Sequence, residues 1–177
     1  MITTGERITD VPPASPVRAL RRHRRTGGRV KAFLLSVHVL AAILAIGPVA
    51  VAASMFPPAA RAAHLMPDDP RKTAVPGVLN RITRVYAVIG IFVPVFGIAT
   101  AAAFGVLGEA WLIISMVLTA GAAVLLAGLV LPGQQRVLTS GTPDRRLAMS
   151  TGLFNLLWAV VVVLMIIRPG STTGAVR

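Results

Sequence analysis

The chain has 177 residues, 55% of them hydrophobic and only 14% charged, with a mean hydropathy of +0.76 and a formal net charge of +12. Soluble domains carry about a quarter charged residues. Here the charge lies between four long apolar runs, as a bilayer requires when a charge at its centre costs at least ~2.5–3.5 kcal/mol. With no cysteine, disulfides, thiolate metal sites, iron–sulfur clusters and a cysteine nucleophile are excluded.

Residues 1–31 read as a disordered, Pro- and Arg-rich basic tail. Val11 to Pro16 holds three prolines, and Arg18 to Lys31 holds seven of the 18 basic residues. Beside apolar spans, this charge points to anionic lipid headgroups near Arg21, Arg22, Arg24 and Arg25 rather than to nucleic acid. The first span is expected over residues 32–54, ~34 Å of helix against a ~30 Å hydrocarbon core, bent at Pro48 and ended by Pro57-Pro58. The basic lead and the string Ala50-Val51-Ala52-Ala53 also resemble a cleaved signal peptide, although the apolar run is long for one. Residues 55–83 are expected to be a loop with short helical patches, in which Asp69-Pro70 reads as an N-cap followed by proline at N1.

The second span is expected over 84–106 and the third over 109–131, joined by a tight turn at Leu107-Gly108. Gly97, Ala101 and Gly105 line one face of the second span. Ala120, Ala123, Ala127 and Gly128 offer a small-residue face on the third, and the two faces are expected to meet. Residues 132–149 read as a second loop, with a helix start at Thr142-Pro143-Asp144. The fourth span is expected over 150–168, closed by Pro169-Gly170, with 171–177 as a short polar tail. The fold class is thus an all-α transmembrane four-helix bundle over 32–170, open to homo-oligomers or to a larger membrane complex. Ten Lys/Arg fall on the side of the N-terminus and eight on the other, so the charge count leaves the orientation open.

Of the six acidic residues, none lies in the middle of a span, which argues against an ion-coupled carrier and against paired catalytic carboxylates. No phosphate-binding loop, dinucleotide fingerprint or His-Glu zinc motif is present, and the residues reveal no reaction. His38 stands out as an ionisable group inside the first span, a functional candidate by position. Depth counting sets Thr100 and Ser115 near its level, with Met165 and Arg168 approaching the same surface. Neutral imidazole is a common haem and metal ligand, and methionine is a second axial ligand in some haem proteins. The bland alternative is a histidine bonded to a neighbouring hydroxyl or carbonyl. His64 belongs at the opposite surface, His23 in the tail, and Asn155 reads as an interhelical hydrogen-bonding residue. Tyr86, Trp111 and Trp158 read as packing or interface aromatics.

Val37-His38-Val39-Leu40 with the small residues through Gly47, a third span headed by Trp111 and ended by Pro132, and the ending Leu153-Phe154-Asn155 … Ile167-Arg168-Pro169 resemble a bacterial family of predicted four-helix integral membrane proteins of unknown function. The resemblance covers residues 32–170; the leading expectation for the chain is a structural or accessory role in a bacterial inner membrane. A more distant likeness is to the haem-b-dependent membrane protoporphyrinogen oxidases, which show a histidine in the first helix and a Phe-Asn … basic-Pro ending. That likeness implies haem b with His38 as an axial ligand, Met165 and Arg168 being weaker candidates at the site. The chain differs from those oxidases in having no lysine after Lys72 and no polar, aromatic-rich stretch after the first helix.

Overall fold

The computed structural model describes the backbone of residues 16–170 and the side chains of residues 28–170. The described residues form six α-helices and one π-helical turn: α1 (Pro16–Leu65), α2 (Pro70–Ile89), α3 (Phe92–Phe104), α4 (Ala110–Leu125), the π turn (Leu126–Val130), α5 (Leu131–Ser140) and α6 (Arg145–Ile167). They stack into four rods, Gly28–Leu65, Pro70–Phe104, Ala110–Ser140 and Arg145–Ile167, each long and apolar enough to cross a membrane. The all-α four-helix architecture is therefore as the sequence implies. Helix begins at Pro16, within the segment read as tail, and residues 1–15 and 171–177 lie outside the described residues.

Both expected loops are largely helical. α1 continues through Pro57 and Pro58 to Leu65, α2 starts at Pro70, and α5 carries the third rod to Ser140. Each proline removes one backbone donor. Packing holds α1 together beyond them, since Phe56 and Ala60 are buried in the same core as Leu79, Val137 and Leu147. The real connections are short and capped. Asp69 Oδ1 accepts from Arg71 N at 2.9 Å, and Asp144 Oδ1 accepts from Arg146 N at 2.8 Å, as the Asp-Pro and Pro-Asp signals imply. Gly105, at φ 73°, closes α3 in a Schellman motif, with Gly105 N bonding Ala102 O and Val106 N bonding Ala101 O.

Two rods are interrupted by proline. Pro94 has no N–H to offer Gly90 O, which accepts from Val93 N instead, and the helix breaks between α2 and α3. Pro132 likewise deprives Gly128 O, and the turn just before it widens to π, with Leu131 N bonding Leu126 O.

Lys31 lies 5.5 Å from the Phe104 ring centroid and Arg168 5.4 Å from that of Trp111, so these residues mark one surface, A. A ~30 Å core measured from A is ~20 helical residues deep, reaching about Val51, Arg84, Leu131 and Ala148. Beyond it, at surface B, the ends of α1, α2 and α5 form a helical cap.

The packing between rods differs from expectation. α3 packs on α1 and α4 packs on α6, while α3 and α4 touch where Ala101 meets Trp111 and Leu112, near their connection. Gly97 lies against His38 of α1, and a Cβ on Gly105, Gly121 or Gly128 would meet nothing within 4 Å.

Candidate functional site

α1 places His38 seven residues inward from Lys31, ~10 Å below surface A at 1.5 Å per residue. Its Nδ1 lies 3.0 Å from Val93 O. A carbonyl oxygen only accepts, so Nδ1 carries the proton and donates, and Nε2 keeps its lone pair. The ring lies against Gly97, where a Cβ would stand 2.9 Å from His38 Cε1 and 3.3 Å from Nδ1. A side chain at position 97 would thus displace the imidazole from the carbonyl it bonds.

The residues expected to keep His38 company have other partners. Thr100 and Ser115 are buried, and their hydroxyls donate back along their own helices, to Phe96 O at 2.7 Å and Trp111 O at 2.8 Å. Met165 packs against the cluster of Ala101, Trp111 and Leu112. Arg168 caps α6 in the left-handed region at φ 47°, donates from Nε to Met165 O at 3.3 Å and covers the Trp111 ring. His64 is at surface B, as expected, with Nδ1 2.9 Å from Gly141 O. Asn155 does bond between helices, Nδ2 donating to Ser54 Oγ at 2.7 Å. The His23 side chain falls outside the described residues.

Three features escape a reading of the sequence alone. In the cap, buried Asn80 donates to Gln134 Oε1 at 3.0 Å, and Gln134 Nε2 reaches Thr83 Oγ1 at 3.4 Å, joining α2 to α5. Asn80 and Thr83, one turn apart, are the polar face of a helix that the sequence disguises as loop. Second, the buried atoms Thr151 Oγ1, Asn155 Oδ1, Trp158 Nε1 and Trp111 Nε1 have no hydrogen-bonding partner in the protein. Third, a cavity of about 340 Å³ opens at surface B, lined by residues that include Pro57, Arg61, Asp144, Arg145 and Leu147.

Among the described residues, no three His, Asp or Glu side chains gather as a metal site. The described acidic residues sit at helix ends, Asp69, Glu109 and Asp144 as N-caps and Asp68 in the turn before α2. The chain matches no protein-family model, no curated protein and no solved structure.

Proposed function

We propose that the chain is an accessory, non-catalytic membrane protein, a helical scaffold for a larger assembly in a bacterial inner membrane. The observation that carries this reading is the use made of its polar side chains. His38 joins α1 to α3, Asn80 and Gln134 join α2 to α5, and Asn155 joins α6 to α1. The first and last stabilise a bundle where lipid supplies no hydrophobic drive, the second ties the cap together, and all three commit an N–H donor to architecture. The open glycine positions of α4 and the π turn support the same reading, because a partner helix can approach closely there.

One observation favours a second reading, haem b on His38. A histidine whose Nδ1–H is held by a backbone carbonyl presents Nε2 in a fixed direction, the arrangement that orients metal-ligating histidines. The donor chemistry of His38 fits an axial ligand, and haem held there would supply one-electron chemistry. Met165 and Arg168 fit less well, since one is packed with Trp111 and the other is bonded to a backbone carbonyl.

One preparation separates the two. The protein is purified in mild detergent from cells supplied with haem, and its spectrum is recorded before and after dithionite. The scaffold reading expects no Soret band and a discrete native mass above that of the monomer. A Soret band that shifts on reduction, and is lost in His38→Ala protein that still inserts, would replace it with the haem reading.

A further inference from the structure

Thr151, Asn155 and Trp158 are spaced by four and then three residues, which sets them on one face of α6. Each presents an orphaned polar atom to the interior: a hydroxyl, an amide oxygen and an indole N–H. Thr151 is only 3% exposed. Its hydroxyl also forgoes the local acceptor such residues use in a helix, the carbonyl four residues back. Thr83, Thr100 and Ser115 all take that carbonyl, from Leu79, Phe96 and Trp111. Asn155 Nδ2 donates to Ser54 Oγ, which leaves Oδ1 without a partner. Trp158 stands edge-on to Phe154, ring centroids 6.5 Å apart, and packs on the core that also holds Leu126 and Val130 of the π turn.

Buried polar atoms are rarely left unpaired, and a cluster of them marks a ligand or ordered water. The chemistry of this cluster selects the guest. It bears no charge, and it offers a donor from indole, an acceptor from the amide and both from the hydroxyl. The helix rises ~6 Å from 151 to 155 and ~4.5 Å from 155 to 158; one water making two ~2.8 Å hydrogen bonds spans about 4.5 Å, so the shorter step takes one water and the longer step two. One turn outward from Thr151, Leu147 lines the cavity at surface B beside Arg61, Asp144 and Arg145.

We propose that this face of α6 is a built water site, a short file of water that enters from the surface B cavity and ends at Trp158 near the bilayer midplane. The file hydrates one seam of the bundle halfway across the membrane and stops there.

The experiment reads the Trp158 indole. The chain has two tryptophans, so Trp111→Phe leaves Trp158 alone, and UV resonance Raman then reports its N–H in H2O and D2O. The expected result is a hydrogen-bonded indole that exchanges for deuterium without unfolding. An unbonded indole, or a bonded one that does not exchange, overturns the proposal. If Trp111→Phe does not fold, the difference spectrum between the unaltered protein and Trp158→Phe gives the same reading. Independently, Thr151→Val should lower Tm and Thr151→Ser should largely restore it. A Tm that stays or rises in the valine variant overturns the proposal, because removing an orphaned hydroxyl from a dry site does not destabilise.

Discussion

An imidazole on α1 and a carbonyl on α3 make their seam intolerant of a single carbon at residue 97. Gly97→Ala would press a Cβ to 2.9 Å from His38 Cε1, and overpacking of this kind costs about 1–3 kcal/mol. The cost should appear as a lowered Tm in detergent and largely vanish in a His38→Ala background, since the ring is the obstacle. Equal losses in both backgrounds would mean that Gly97 serves something other than His38. His38 itself is legible in the sequence, as the one histidine inside an apolar run. Its partner is not, because every residue has a carbonyl and nothing in the letters singles out that of Val93. The missing side chain at Gly97, one turn onward, is the only trace of the contact, and in the sequence it reads equally well as a site for packing another helix.

Hydropathy reads where lipid begins, and helices need not stop there. The apolar runs over 32–54, 84–106, 109–131 and 150–168 lie largely within four rods, three of which are longer than a ~30 Å core needs. The helices themselves run further at surface B, α1 to Leu65, α2 from Pro70 and α5 to Ser140. Capping residues mark true ends better: Asp69 and Asp144 were legible because an Asx cap is a local device. Pro57-Pro58 misled because long-range burial of Phe56 overrides a local penalty. In the cap, Gln134→Leu leaves Asn80 buried without its acceptor, a loss of about 1–3 kcal/mol. The double change Asn80→Leu with Gln134→Leu should recover most of that Tm, because both partners are then apolar. A double variant as unstable as the single would show that the pair contributes more than mutual satisfaction.

At the scale of the whole molecule, the two surfaces are unlike. Surface A has Lys31, Arg168 and a short connection at residues 105–109, whereas B has the cap, the cavity and both Asx-capped turns. The chain has no cysteine, so single Gly108→Cys and Ser140→Cys variants can be probed cleanly with a membrane-impermeant maleimide on intact cells or spheroplasts and inverted vesicles. The two should label from opposite sides, and labelling from the same side would break the four-span arrangement. The pattern also fixes which surface faces inward, which ten basic residues against eight could not. The cap bears on how the molecule is made. Asn80 and Gln134 are 54 residues apart in sequence, and Gly141, the partner of His64, lies 77 residues beyond it. The helices insert as separate units before they associate, so neither bond can form until the third rod has been synthesised and released. Biogenesis then has a natural order: the α1–α2 hairpin waits at surface B with its polar residues wetted, and α5 arrives to close over it.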